Sequence, residues 1–500
     1  MTLLQRSITS SVYNIAANLV TLVTGLFGSI MLMRLLEPQL FGTFALATTI
    51  IQITLPLPNF GFAPAFLNRT GSEGITEEIL RVHFTLKLLL SLIWAVVLGL
   101  GVRLFAPANT LWLFGVLILT TFFSMQTATI TILLTRQVRF QRLALAQAMS
   151  AIARSIIPII LAYRGWGLWA LVSGNIASTI VSILLLYIIS PVWRPRLGWS
   201  QELVDYFIKF GSKVLGTSLL LEALDRVDDL WTGIVLGEKA LGFYDKAYGF
   251  ATYPRQVITV PLVQVVSGTY AELLPHRQRL SLAFSWVNML MTRANFWIAA
   301  LLWLVAPEFI RLFLGSNWLP MLDAFRLMLI YTMFDPIKTM IGSLLILADA
   351  SPRVIRARLI QLGVLIAGLF TLGPRLGIAG VALAVNIMLV TGMIILYAEA
   401  RRFVDFSLRQ ALAVPTMSLG LGLFAVQQTL AFMDVAGNDW LNSFIKVGVF
   451  SLVYVSVLVG AERKQLRHVF RYTLTVLRKQ PVFPACNSER GGYVPGHRRN

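Results

Sequence analysis

The chain has 500 residues, of which 57% are hydrophobic and only 13% charged, where an ordinary soluble domain has roughly 25% charged. One aqueous core cannot hide that much apolar side chain, so a water-soluble fold is excluded and lipid is the implied solvent. The net charge of +19 sits largely in short turns and the tail, where topology accounts for it, so anionic lipid headgroups are expected partners and nucleic acid is not.

A helix needs about 20 mainly apolar residues to cross a bilayer, and fourteen segments approach that length: 12–33, 43–66, 82–105, 110–134, 143–162, 167–190, 206–235, 243–268, 284–306, 320–347, 354–372, 377–398, 410–430 and 441–460. Helix is the required form, because strands or coil would leave backbone groups unpaired in lipid. The first segment is too long, and too soon followed by others, for a cleaved signal peptide. Alternate breaks carry the arginines: Arg6; Arg69 and Arg81; Arg136, Arg139 and Arg142; Arg194 and Arg196; Arg277 and Arg279; Arg353, Arg356 and Arg358; Arg401, Arg402 and Arg409; and a tail from Glu462. The other breaks hold little beyond Arg34, Arg103, Arg164, Lys239, Arg311 and Arg375. Basic loops stay in the cytoplasm, so both termini are expected there and the number of spans is even.

Residues 35–47, LLEPQLFGTFALA, are echoed 200 positions later by 235–247, VLGEKALGFYDKA. Leu36 pairs with Leu236, Phe41 with Leu241, Gly42 with Gly242, Phe44 with Tyr244 and Ala47 with Ala247. One copy falls between spans one and two, the other between spans seven and eight. The expected fold is therefore an all-α polytopic membrane protein, with 14 transmembrane helices in two pseudo-symmetric seven-helix lobes around a central cavity. Residues 1–190 form the first lobe with helices one to six, 191–205 the connection, and 206–460 the second lobe plus the linking seventh helix. Repeated halves facing a cavity are a transporter plan, in which rocking exposes the cavity to alternate sides.

Proline in span two points to a broken helix: Pro56, Pro58 and Pro64, with Gly61 between them, are hinge candidates, and Pro254 and Pro261 occupy the comparable part of span eight. Intramembrane charge is costly and marks a cavity or an ion pair. Arg154 is the clearest lone charge of the first lobe. Span seven carries Lys209 and Lys213, then Glu222, Asp225, Arg226, Asp228 and Asp229. Glu222 and Arg226, four apart, permit a salt bridge, whereas Lys209 with Lys213 and Asp225 with Asp229 stack like charges on one face. Asp245, Lys246 and Arg255 follow on span eight, Arg293 on span nine, and Asp323, Arg326, Asp335 and Lys338 on span ten. Asp323 with Arg326 and Asp335 with Lys338 are each three apart, and read equally well as internal pairs or substrate contacts. Arg293 has no acid near it in sequence, and its alternative is snorkelling to the interface. Arg34 and Arg164 are expected at the outer face. Converging arginines and lysines favour a multiply anionic ligand such as a diphosphate, because guanidinium groups donate bidentately to phosphate oxygens. No phosphate-cradling glycine loop is present, so direct ATP use is not expected. Four scattered histidines and the lone Cys486 offer no catalytic or metal cluster.

The stretches RLLEPQLFGTFALA at 34–47 and GSKVLGTSLLLEALDRVDDLWTGIVLGEKALGFYDKAYGFATYPRQVITVPL at 211–262 resemble the polysaccharide and lipid-linked oligosaccharide flippases. These belong to the multidrug/oligosaccharidyl-lipid/polysaccharide exporter superfamily, and the likeness is to the branch of colanic and teichuronic acid exporters. Asp225 and Asp228 ahead of Gly233, Leu236-Gly237, Leu241 to Tyr244, Ala247-Tyr248, Pro254 and Pro261 carry it. The resemblance implies two seven-helix bundles and movement of an undecaprenyl-diphosphate-linked oligosaccharide across the bacterial inner membrane by alternating access, for exopolysaccharide, capsule or O-antigen synthesis, with no enzyme chemistry. The family's basic lumen carries over to Lys209, Lys213, Arg226, Arg255 and Arg293, and the intramembrane charges themselves add Arg154, Lys246 and Lys338 as candidates for substrate contact. Glu222, Asp225, Asp228, Asp229 and Asp335 become candidates for H+ or Na+ coupling or for charge balance. The rival readings are a drug or small-molecule antiporter of the same superfamily, a lipid II flippase, and a polysaccharide polymerase. The tail 461–500 lies outside the likeness: 464–478 reads as a basic amphipathic helix and 481–500 as disordered. The tail reads first as a simple membrane anchor and second as a dock for a polymerase or glycosyltransferase, while the transporter itself is expected to work as a monomer.

Overall fold

A computed structural model describes residues 3–137, 140–189, 192–432 and 438–463. The tail beyond Arg463, with the basic helix expected at 464–478 and Cys486, and also Arg139, lie outside the described residues. Among the described residues every regular element is helical: α1 (Leu3–Leu35), α2 (Pro38–Thr54), α3 (Pro56–Asn59), α4 (Phe62–Glu73), α5 (Glu77–Phe105), α6 (Leu111–Gln126), α7 (Ala128–Arg136), α8 (Phe140–Tyr163), α9 (Leu168–Ile183), α10 (Gln201–Trp231), α11 (Glu238–Pro254), α12 (Val260–Leu273), α13 (Arg277–Phe309), α14 (Leu322–Leu347), α15 (Ser351–Ala400), α16 (Leu408–Phe432) and α17 (Asp439–Ala461), with short 3-10 and π turns at their ends. Eleven of the described helical rods are long and apolar enough to cross a membrane. The protein is a multi-pass, all-helical membrane protein.

One boundary differs from the sequence reading. The connection expected over 191–205 is helical from Gln201, where α10 begins. The fifty residues of α15 are two helices that meet at Gly377, whose φ of 58° and ψ of −139° an L side chain rarely adopts. That kink falls where the sequence separates spans 354–372 and 377–398.

Helix α10 ties the two halves together. Its N-terminal half packs on α3, α4 and α5, and its C-terminal half on α15, while α2 packs on α11. The largest core joins Leu32, Met33 and Phe41 of the first half to Phe243, Tyr244 and Trp318 of the second. A separate first-half core gathers Phe62, Phe66 and Phe207 around the base of α10.

The proline cluster breaks span two as expected. Pro56 and Pro58 lie in the single turn α3, and the chain then passes through left-handed Phe60 (φ 44°) and Gly61 (φ 65°) before α4 resumes. The break exposes carbonyls that an unbroken helix would satisfy. Lys87 of α5, only 3% exposed, donates from Nζ to the Pro58 carbonyl at 3.2 Å and to Asn59 Oδ1. A cation at the C-terminal end of α3 also complements the helix dipole. Nothing in the spacing of charges singled out Lys87, since it has no acidic neighbour. Lys87→Met is expected to lower stability by about 1–3 kcal/mol by stranding those acceptors; thermal unfolding in detergent reads it, and an unchanged midpoint would count against the clamp.

Candidate functional site

Two places in the molecule concentrate what lipid-facing helices do not need. The first is the crossing of the two repeat motifs. Gly42 and Gly242 face each other where α2 meets α11. A Cβ built on Gly42 would overlap the Glu238 carbonyl and come within 3.0 Å of the Gly242 nitrogen, and one on Gly242 would overlap the Pro38 carbonyl and come within 3.1 Å of the Gly42 nitrogen. Backbone touches backbone because neither glycine has a side chain. Thr43 Oγ1 donates to Glu238 Oε2 at 2.6 Å across the same junction. Trp318, 1% exposed, is wedged edge-on between Phe41 and Phe243, with ring centroids at 5.4 and 5.8 Å, and its Nε1 donates to the Met33 carbonyl at 2.8 Å. Arg34 donates to the carbonyls of Phe313 (2.7 Å) and Leu312 at the end of the α13 rod. Arg34, expected at the outer face, caps the helix end of the other half of the molecule.

The second is a charge cluster within the second half, where α10, α11, α14 and α15 converge. Glu222, Asp225, Arg226, Asp228 and Asp229 follow one another through the last turns of α10. Arg226 reaches Glu222 at 3.7 Å and Asp229 at 3.3 Å, so the spacing of four and the spacing of three are both used. Asp228, 5% exposed, accepts from Tyr244 Oη at 2.5 Å. Asp335 is wholly buried on α14 and meets Arg255 Nε at 2.9 Å and Lys338 Nζ at 3.3 Å. It also accepts from Tyr331 Oη at 3.0 Å and Thr339 Oγ1 at 3.3 Å. Lys338 lies over the Tyr331 ring, 5.4 Å from its centroid.

A small cavity opens between these groups, walled by Asp225, Tyr248, Tyr331, Lys338, Arg358 and Gln361 among others, with room of about 20 Å³, enough for one water. Arg358 corrects the sequence reading. It was counted with the cytoplasmic arginines Arg353 and Arg356, but α15 carries it into the bundle as a cavity wall. The segment 354–372 already contained it, and a basic residue inside a span's own limits is the signal that could have found it. Tyr244 and Tyr248 carry the family resemblance, but nothing in the sequence marks them or Tyr331 as site groups, because their hydroxyls matter only once a carboxylate is placed beside them.

The remaining candidates lie elsewhere. Lys209 and Lys213 are exposed on α10. Arg154 is exposed and donates to Asn175 Oδ1 across α8 and α9. Lys246 pairs with Asp245 at 2.9 Å and sits over the Phe41 ring at 4.9 Å, near the glycine crossing. Arg326 stacks on Trp303 at 4.7 Å rather than pairing with Asp323. Arg293, which lacked an acid nearby in sequence, finds Glu462 at the end of α17: its Nε and Nη2 donate to the two oxygens of that carboxylate, and the two side chains are 11% and 6% exposed. Pro254 closes α11 and is followed by a π-helical stretch, Arg255–Thr259, before Pro261 enters α12.

Residues 31–323, more than half of the chain and including both repeat motifs and the charged end of α10, match the family described as polysaccharide biosynthesis protein. The chain belongs to that family. Among its relatives, the succinoglycan biosynthesis transport protein ExoT of Rhizobium meliloti (strain 1021) is 26% identical over 305 residues, covering 57% of this chain and 58% of the relative. The match therefore spans less than two thirds of that relative's length. The lipopolysaccharide biosynthesis protein WzxC of Escherichia coli (strain K12) is 20% identical over 355 residues, covering 69% of this chain and 70% of WzxC. Among solved structures, this polysaccharide biosynthesis family member shares its fold with the lipid II flippase MurJ in an inward closed conformation, at a TM-score of 0.75 and 18% identity over 92% of this chain and 100% of that one. An outward-facing MATE family multidrug resistance transporter of the MOP superfamily superposes less closely, at a TM-score of 0.53 and 15% identity over 79% of this chain and 95% of that one.

Proposed function

We propose that the protein is a flippase that carries an undecaprenyl-diphosphate-linked oligosaccharide repeat unit across the bacterial inner membrane, by alternating access, for exopolysaccharide, capsule or O-antigen synthesis. The observation that carries this reading is the placement of Arg255, Lys338 and Arg358 together inside the second half, in a member of the polysaccharide biosynthesis family. Cations drawn into a bilayer-spanning bundle serve an anionic ligand or a counter-ion, and a diphosphate offers several oxygens to arginine and lysine donors at once.

On this reading the rods count as fourteen spans. The two halves of α15 are separate spans, and the α10 and α11–α12 rods cross despite their charge because that charge faces inward. Both termini are cytoplasmic, the 36–38 turn lies outside, and the Gly42–Gly242 crossing seals the outer end while the other end stays free to receive substrate. Rocking about α10 opens the crossing. The repeat unit stays attached to its lipid throughout, so no bond is made or broken, and the transporter works as a monomer supplied by glycosyltransferases and relieved by a polymerase. The acids of α10 balance the neighbouring bases or bind the coupling H+ or Na+.

A drug antiporter would be served by a lone carboxylate among aromatic walls. Asp335 instead has two cationic partners, which favours the anionic substrate. Deleting the gene in its native host is expected to abolish surface polysaccharide while the lipid-linked repeat unit accumulates inside. Normal polysaccharide with altered drug sensitivity would move the assignment to the antiporter.

A further inference from the structure

Of the cations in the second-half cluster, Arg226 has Glu222 and Asp229, while Arg255 and Lys338 share Asp335. Asp335 thus stands where an anionic ligand of Arg255 and Lys338 would stand. We propose that Asp335 is an internal substitute for the substrate's diphosphate: it holds Arg255 and Lys338 while the site is empty, yields them when a diphosphate arrives, and retakes them at release. This rests on the reading of the protein as a lipid-diphosphate transporter, and adds how affinity and release are set.

Three features support an exchange rather than a static pair. Burial is unequal: the Asp335 side chain is 0% exposed, whereas Arg255 is 33% and Lys338 13% exposed. The carboxylate is closed in, and the cations keep an open side, Lys338 toward the cavity that Arg358 also lines. Arg358 makes no hydrogen bond or ion pair among the described residues, and so adds a third, uncommitted donor set to that cavity.

Asp335 also has partners that stay. Tyr331 Oη and Thr339 Oγ1, at 3.0 and 3.3 Å, come from its own helix one turn on either side. When the cations leave, two hydroxyl donors remain, so the vacated carboxylate is not stranded in a dry interior. The backbone permits the movement as well. Arg255 opens the π-helical stretch Arg255–Thr259 directly behind Pro254, and such wide turns interrupt the regular ladder and recur at functional sites. Arg255 can therefore change reach without breaking a continuous helix.

An internal competitor lowers apparent affinity by the fraction of time the cations are free. The test uses the full-length protein in lipid nanodiscs, with farnesyl diphosphate as the lipid-diphosphate probe, inorganic pyrophosphate as its lipid-free counterpart, and binding read by calorimetry. Asp335→Asn is expected to bind farnesyl diphosphate about tenfold more tightly and to release it correspondingly more slowly. Thr339→Val, close to isosteric and outside the cavity wall, removes a donor from the vacated carboxylate and is expected to weaken binding about threefold. Opposite shifts from two neighbouring positions are not produced by general loosening of the bundle, and Thr339→Val decides the matter if Asp335→Asn does not fold. Pyrophosphate following the same order places the effect on the diphosphate; an order kept only with the farnesyl probe would overturn the assignment to that group. Folded Asp335→Asn that binds no more tightly than wild type, or Thr339→Val that binds as well, overturns the inference while leaving transport of the lipid-linked oligosaccharide intact. Absence of binding by every variant, together with absence of that transport, removes both this inference and the function it rests on.

Discussion

Gly42→Val is expected to cut transport at least about tenfold and to part the crossing of the two repeat motifs, the closure in the proposed mechanism. The reason is geometric. Even a Cβ at position 42 overlaps the Glu238 carbonyl, so α2 and α11 must part, whereas overpacking in an adaptable core costs only about 1–3 kcal/mol. Here the opposing atoms are backbone and cannot change rotamer. Gly242→Val meets the Pro38 carbonyl and should behave alike. With Cys486→Ser as background, Ala45→Cys reports the state of the crossing, because Ala45 is 6% exposed in the core that joins the halves. A membrane-impermeant maleimide should label it slowly in the wild-type background and about tenfold faster beside Gly42→Val. Equal labelling and undiminished transport would show that this crossing is not a closure.

Arg293→Ala is expected to fail by a different route. The bidentate pair with Glu462 is nearly enclosed, and removing one partner of such a pair costs about 3–5 kcal/mol by leaving the other charge buried alone. The same helix interface holds Lys446 on Glu308 at 2.6 Å, Arg311 on Asp439 at 2.8 Å, and the Tyr454 hydroxyl on the Arg293 carbonyl at 3.0 Å, so α17 is fastened to α13 along its length. Thermal unfolding should show a large drop for Arg293→Ala. The double change Arg293→Met with Glu462→Met should restore most of the stability and transport, since an apolar pair can replace a buried ion pair at little cost. A stable double variant that stays inactive would return Arg293 to the substrate path.

The parts of this molecule that were legible in the sequence share one property: their signal is local. Long apolar runs give the helices, three prolines around Gly61 give the break in span two, and the motif at 35–47 with its copy at 235–247 points to paired halves. The repeat was legible as a pattern but not as a contact, because nothing in either copy says that Gly42 will lie on Gly242. Ion pairs followed the same division. Glu222 with Arg226 and Asp335 with Lys338 are within one helical turn and could be read from spacing, whereas Arg255 with Asp335 and Arg293 with Glu462 join helices far apart in the chain. Lys87 was missed because its partners are a carbonyl and an amide oxygen, and hydropathy gives a lone lysine near a span's start no meaning. Arg358 was misplaced because it follows Arg353 and Arg356 so closely that it reads with them as one basic break, although the span limits 354–372 already enclose it.

The central claim is that this family member moves a lipid-linked glycan between leaflets without nucleotide hydrolysis. The measurement that meets it most directly is translocation of a fluorescent undecaprenyl-diphosphate oligosaccharide in proteoliposomes free of ATP, comparing wild type, Arg255→Gln and protein-free vesicles. Wild type is expected to move the lipid to the opposite leaflet well above the protein-free rate, with Arg255→Gln reduced about tenfold or more. Folded wild type that moves none of several glycan diphosphate lipids faster than empty vesicles would contradict the account.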